Sequence, residues 1–347
     1  MEKTRRIALD LPGFHRDLAL IKKFFTLIIL LAIVAAAAFV FWAQQPITRN
    51  DQPAIDFTIN PGSGVKSSMQ QIENAGAPVQ PFLMMVLAQV TGNSTKLKAG
   101  SYELKPGTTP SRLLTQLVRG EFAQEALTVI EGWTFRQMRE VINANPALRH
   151  DTAGLSDQDL MARISSDYKT PEGLFYPDTY LFAKNSSDLQ IYKQAHNLML
   201  KRLNEAWLAR NPSLPYASPY EALIMASIVE KETGKKSERT MIAGVFVNRL
   251  KKGMLLQTDP TVIYGMGDSY KGNIRKSDLL TDTPHNTYTR SGLPPTPIAL
   301  PGMESLHAAM NPAATDAVYF VARGDGSSQF SANLDDHNNA VNKYQRK

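Results

Sequence analysis

The chain has 347 residues, 43% hydrophobic and 20% charged, an ordinary globular composition with room for two modest domains and an anchor. It holds no cysteine, which excludes disulfide frameworks, thiolate metal sites and cysteine nucleophiles. Its six histidines include no pair at metal-ligand spacing such as His-x-x-x-His, so no metal centre is expected. Half of the formal charge of +6 falls before Phe24 and the rest is dispersed, unlike the clustered basic surface of a nucleic-acid binder.

The first feature in chain order is an apolar run. Phe24 to Ala43 reads FFTLIILLAIVAAAAFVFWA, twenty residues without a charge and long enough to cross a hydrocarbon core. Lys22 and Lys23 stand at its entrance and Trp42 near its exit, the residue types that settle at membrane interfaces. A buried core helix would seldom be so uniformly apolar, and a cleaved signal peptide has a shorter core and a smaller leading tail. The expectation is a retained single-pass anchor in the cytoplasmic (inner) membrane. Lys3, Arg5, Arg6, Arg16, Lys22 and Lys23 outweigh Glu2, Asp10 and Asp17, which places the tail, residues 1–23, in the cytoplasm and the chain after Gln44 outside, in the periplasm. Residues 44–54 are polar, contain Pro46 and Pro53, and suit a tether.

Beyond residue 54 the sequence repeats. Phe57 to Ile72 (FTINPGSGVKSSMQQI) and Tyr102 to Leu117 (YELKPGTTPSRLLTQL) align at an offset of 45, matching Phe57 with Tyr102, Ile59 with Leu104, and Pro61-Gly62 with Pro106-Gly107. A weaker third copy, Leu127 to Ile142, keeps the apolar alternation and Gly132. Alternation predicts a short strand, the glycine a tight turn, and the later apolar spacing a helix. Phe82 to Val90 is apolar enough for a further helix between the first two copies. Such a unit, over residues 55–122, resembles the LysM-like fold of cell-wall proteins, although a strand-turn-helix unit also occurs without binding anything.

The stretch SPYEALIMASIVEKETGKKSE carries the chemistry. Ser218, Pro219 and Glu221 form a helix start, Ala222 to Val229 is apolar but for Ser227, and Gly234 is a natural stop. A core helix therefore emerges at Glu230 and Glu232. The negative end of the helix dipole and an apolar approach both raise a carboxyl's pKa, as a general acid requires. The two glutamates project to nearly opposite faces, so one is expected to act and the other to be structural or solvated. Position alone equally fits a charged helix end. A second helix follows from Ser237 to Gly253, and a third opens at Asp259-Pro260. His285 to Gly302 is a proline-stiffened loop of hydroxyl, amide and aromatic residues, suited to the wall of a sugar-binding groove. A helix near Glu304 to Met310 and a hairpin turning at Gly324-Asp325-Gly326 complete the chain.

Taken together, ASIVEKET, VFVNRL, LQTDPTVIYG, NTYT-x-x-GLPP, YFVA and NLDDHN, with EGLFYPDTY upstream, resemble the endolytic murein transglycosylase family, also called YceG-like. The resemblance implies cleavage of the β-1,4 bond between N-acetylmuramic acid and N-acetylglucosamine in nascent strands, without water and without a cofactor. It implies 1,6-anhydro ends and an end to strand polymerisation. The family's catalytic glutamate falls on Glu232. Gln257, Asp259, Asn286 and Tyr288 are candidates for substrate contact, with Asp259 alternatively an N-cap and Tyr288 alternatively core. Glu172 is a further polar candidate, more readily a structural turn residue. The implied partners are peptidoglycan strands, the membrane and a neighbouring glycan synthase. The expected fold class is α+β, with an anchor at 24–43, the LysM-like unit, and a mixed catalytic domain over 123–347. Two rivals stay open at this level. A hydrolytic muramidase would need a second carboxylate such as Asp259, Asp278 or Asp282. A non-catalytic glycan-binding scaffold would make Glu232 incidental.

Overall fold

The computed structural model describes residues 14–165 and 167–345. The expected cytoplasmic tail lies outside the described residues as far as residue 13. The chain divides between Ala123 and Gln124 into two compact units, and it is α+β throughout.

The first unit begins with helix α1 (Phe14–Ala43), whose apolar stretch Leu20–Ala43 is 24 residues long. Its side chains stay exposed until the last turn, where Ala43 is buried and Phe39 and Trp42 pack against the unit's core. Then come β1 (Ile55–Ile59), α2 (Val65–Asn74), α3 (Pro81–Val90), β2 (Gly100–Leu104) and α4 (Pro110–Arg119). β1 and β2 pair antiparallel, with Phe57 opposite Tyr102. Those are the residues that the 45-residue offset superposes, so the two copies are related by a local two-fold axis through that pair. Their rings stack at 5.5 Å, and Phe57, Ile59, Tyr102 and Leu104 all face the core. Gly62 and Gly107 take φ of +80° and +76°, a left-handed turn that a side chain would strain. Residues 45–54 are not a loose tether. Ile47 N–H donates to Thr108 O at 2.8 Å and Thr48 is buried, because the strand-to-helix turn before α4 offers backbone partners to the passing chain.

The second unit opens with the third copy, β3 (Gln124–Thr128) and α5 (Phe135–Ala144), its turn glycine Gly132 again left-handed at +78°. Without a sister strand, β3 pairs antiparallel with β5 (Thr179–Ala183). Between them lie β4 (Leu148–Arg149) and α6 (Asp157–Ile164). β6 (Ser186–Ser187) pairs parallel with β4 and leads into α7 (Asp188–Leu208). Helices α8 (Pro219–Glu232), α9 (Arg239–Lys251), α10 (Asp259–Met266), α11 (Lys276–Leu280) and α12 (Met303–Met310) follow, then the hairpin β7 (Tyr319–Ala322) and β8 (Ser328–Ser331), and α13 (Leu334–Tyr344).

α8 is the axis of this unit. Every residue from Ala222 to Val229 is buried, and α7, α9, α10 and α12 pack around it. Its one polar core residue, Ser227, donates to Ile224 O at 2.7 Å and accepts from Ile298 N–H at 3.0 Å. That second bond pins the far half of the 285–302 loop beneath the helix, where Ile298, Ala299 and Leu300 are buried.

Candidate active site

α8 starts as its sequence requires. Ser218 caps the Glu221 N–H, and Glu221 returns its carboxylate to Ala217 N–H at 2.7 Å. Its end differs from expectation. Thr233 turns extended at φ −144°, so the helix stops without a left-handed glycine cap at Gly234, and Glu232 is the last helical residue. The chain changes direction there because Glu230 is held on the other side of the turn. Its Oε1 pairs with Arg239 Nη2 at 3.0 Å and its Oε2 accepts from Gly302 N–H at 3.0 Å. Both partners of that ion pair are buried, and Arg239 reaches Glu304 as well, at 3.3 Å.

Glu232 is half-buried and makes no ion pair among the described residues. Its Oε2 accepts the Thr258 hydroxyl at 2.6 Å. Burial pushes the carboxyl's pKa up; the Thr258 bond opposes this, the charge of Asp259 reinforces it, and Arg249 lowers it. The balance is upward, the direction that keeps a proton available for transfer near neutral pH.

The segment opposite is built to place Thr258. Leu256 and Thr258 are buried while Gln257 between them is exposed, with a left-handed φ of 52° that is rare for a non-glycine residue. The clamp that holds this conformation is the buried Arg249. Its Nη1 donates to Leu256 O at 2.9 Å and Leu255 O at 3.2 Å, and its Nε to Val318 O at 2.6 Å, while its guanidinium lies over the Tyr319 ring. On the other side Thr287 takes over: its carbonyl accepts Gln257 N–H, and its hydroxyl accepts Thr258 N–H at 3.1 Å and meets Thr261 Oγ1 at 2.9 Å. Neither Arg249 nor Thr258 figured among the residues expected from sequence. Both lie in motifs that carry the family resemblance, Arg249 in VFVNRL and Thr258 in LQTDPTVIYG directly before the helix-opening Asp-Pro.

Of the four candidates for substrate contact, three line this corner. Gln257 is exposed. Asp259 is exposed too, and it is the first residue of α10, since Thr258 takes the N-cap position. Tyr288, half-buried, donates its hydroxyl to Asp259 Oδ1 at 2.5 Å. Asn286 is placed differently from these three. It is fully buried, its amide nitrogen bonding Leu279 O and Thr281 O and its oxygen accepting Tyr288 N–H at 2.8 Å. These bonds use both amide N–H donors to shape the loop that presents Tyr288. Two carboxylates considered for a hydrolytic route are also engaged elsewhere: Asp282 pairs with Arg290 at 2.8 Å, and Asp278 caps α11 through Arg275 N–H.

A cleft of 1130 Å³ opens beyond α10, lined by the first turns of α5, by Thr170 to Glu172, by Ile263, Tyr264 and Tyr270, and by His285 and Thr296 of the long loop. Asp259 and Ile263 lie one turn apart on α10, so its surface leads from the Glu232 corner into the cleft. Glu172 forms the floor. Its carboxyl accepts Phe135 N–H at 3.0 Å and the Tyr264 hydroxyl at 3.1 Å, and burial raises its pKa to about 7 against those bonds. Tyr220, at the start of α8, feels the charge of Glu172. Tyr220 and Glu232 stand at opposite ends of α8, roughly 18 Å apart along the helix axis.

The YceG-like family model matches residues 57–343. The chain is 30% identical over 337 residues to an endolytic murein transglycosylase of Bacillus subtilis, covering 90% of this chain and 91% of that protein. A second similar protein, an endolytic murein transglycosylase of Streptococcus pneumoniae, is 26% identical over 90% of this chain, which spans 63% of its length. Among solved structures, a yceG-like protein from Listeria monocytogenes aligns with a TM-score of 0.52 at 29% identity, covering 83% of this chain and 99% of that one. With the family matched from the first strand of the repeat almost to the end of the last helix, the chain belongs to the YceG-like family.

Proposed function

We propose that this protein is an endolytic murein transglycosylase and that Glu232 is its acid and then its base. The observation that carries the assignment is the carboxyl at the end of α8, raised in pKa by burial and held by a hydroxyl rather than a cation. Protonated Glu232 gives its proton to the glycosidic oxygen as the bond from that oxygen to C1 of N-acetylmuramic acid breaks. The C6 hydroxyl oxygen of the same sugar closes onto C1, and its proton returns to the Glu232 carboxylate. The acid is restored, no water is consumed, and the ends are a free GlcNAc hydroxyl and a 1,6-anhydro ring. An intramolecular nucleophile gains the effective-concentration advantage of a group already held beside its target.

In this reading Gln257, Asp259 and Tyr288 contact the sugars at the scissile bond, and the strand continues along α10 into the cleft. The mix of hydroxyl, amide and aromatic lining there suits a glycan. The apolar helix α1 anchors the enzyme in the membrane with its N-terminus in the cytoplasm, the repeated β-α unit serves as a LysM-like glycan holder, and a glycan synthase supplies the nascent strand.

The experiment is cleavage of purified glycan in 18O-labelled water, read by mass spectrometry. Muramyl ends should be lighter than labelled hydrolytic ends by one molecule of labelled water and should carry no 18O at C1. Reducing ends labelled at C1 as the main product would overturn the transglycosylase reading in favour of a muramidase, with Asp259 its nearest second carboxylate.

A further inference from the structure

α3 is an unusual surface helix. Its sequence, PFLMMVLAQV, holds no charge. Met84, Leu87 and Ala88 supply the unit's core, yet Phe82 is 73% exposed and Val90 is 74% exposed. Phe82, Val86 and Val90 follow one another at i, i+4 and i+8, with Met85 beside them, so they form one stripe. A helix apolar on both sides needs a cover on both sides.

The anchor's geometry says what that cover is. The 24-residue span Leu20–Ala43 rises roughly 36 Å against a hydrocarbon thickness of about 30 Å, so its last turn sits at headgroup level. That turn is built into the core that holds α3: Ala43, Met84, Leu87 and Ala88 belong to one cluster, with Phe39 and Trp42 packed on it. Trp42, Pro46 and Ile47 enclose with Val79, Gln80 and Met84 a small cavity of 230 Å³, so α3 begins where the span ends. Nothing slackens the connection, because Ile47 is bonded to Thr108 and Thr48 is buried. With α1 across a bilayer, this connection would hold the unit at the bilayer surface.

We infer that the Phe82–Val86–Val90 face of α3 is a membrane-interface contact, lying along the headgroup boundary of the bilayer that α1 crosses. The inference rests on the anchor reading of α1. A helix without charge binds by apolar burial, in the outer 5–10 Å or so of the lipid, and needs no anionic headgroup. Two attachment points, one spanning and one lying flat, fix the orientation of the repeated unit over the membrane, which a single helix free to rotate would not do.

The absence of native cysteine makes the test clean. Single-cysteine variants Phe82→Cys, Val90→Cys, Gln70→Cys and Leu31→Cys of the full chain are spin-labelled, reconstituted in phosphatidylcholine vesicles, and compared for collision with oxygen and with a water-soluble nickel chelate. Leu31, mid-span and outward-facing, reports the anchor and Gln70, exposed on α2, reports an aqueous site. Labels at 82 and 90 should shift toward oxygen and away from nickel, in the direction of position 31, and the shift should persist unchanged when anionic lipid is added. Nickel accessibility at 82 and 90 equal to that at 70 would overturn the inference. So would protection accompanied by spin–spin broadening that dilution with unlabelled chain removes, since a second copy would then be the cover. If position 31 itself were aqueous, the anchor reading would have failed, and the result at 31 separates that failure from the first.

Discussion

Glu230 and Glu232 leave the same turn of α8, two residues apart, into opposite surroundings. Glu230 meets a buried guanidinium and a backbone N–H, so its charge is balanced and its position locked. Glu232 meets a hydroxyl and, nearby, the like charge of Asp259. The locked pair fixes the turn, and the fixed turn holds the other carboxyl where burial favours its protonated form. Burial of a carboxyl is thus not itself a catalytic signature; the partner decides whether it becomes a strut or an acid.

The strongest way to break this comparison is to exchange each glutamate for its amide. Glu232→Gln keeps the shape and the contact with Thr258 but has no proton to give, and glycan cleavage should fall by at least about two orders of magnitude with folding little changed. Glu230→Gln leaves Arg239 buried with only the half-exposed Glu304, and should cost about 3 kcal/mol of stability while retaining much more activity per folded molecule. Turnover on purified glycan beside thermal melts measures both. Equal loss of activity in the two variants, or a dead Glu230→Gln, would reverse the assignment.

A smaller perturbation sharpens it. In the proposed mechanism the acid works protonated, so activity should fall as pH rises through the pKa of Glu232. Thr258→Val removes the bond that lowers this pKa, and the alkaline limb of the profile should move up. Asp259→Asn removes a charge that raises it, and the limb should move down. Shifts of kcat/KM in the same direction for both variants would mean that the limb belongs to another group.

The smallest effect concerns Glu172, whose carboxyl is also raised in pKa by burial yet caps a helix start. Its folded pKa, about 7, stands above an ordinary glutamate's. A raised carboxyl contributes stability that is fully present below the unfolded pKa near 4.3 and lost as pH rises to about 7. Glu172→Gln should therefore flatten the decline of Tm between those two pH values, and an unchanged decline would assign it to other groups.

Much of this was legible in the residues. The 45-residue offset encodes a strand, a left-handed glycine and a helix through local chemistry alone, and the capped start of α8 and the hairpin at Gly324 follow from the same short-range rules. α7 carries an i, i+4 stripe of Ile191, Ala195, Met199 and Leu203 that also predicts a helix, though no expectation covered it. The glutamate spacing in α8 sets the two side chains on opposite faces by helical periodicity.

What the sequence could not say was who stands opposite. Whether Glu230 or Glu232 meets an arginine depends on α9 folding back along α8. Whether Asn286 faces sugar or buries its amide depends on where the loop closes on α11. The clamp of Arg249 on Leu255 and Leu256, the left-handed Gln257, the placement of Thr258, and the pairing of the third repeat's strand with β5 are likewise set by packing between distant segments. Local propensity and periodicity act over a few residues and are written in order along the chain. A carboxyl's partner and its desolvation arise only when segments far apart in sequence share one interior, and that was decided by the tertiary structure.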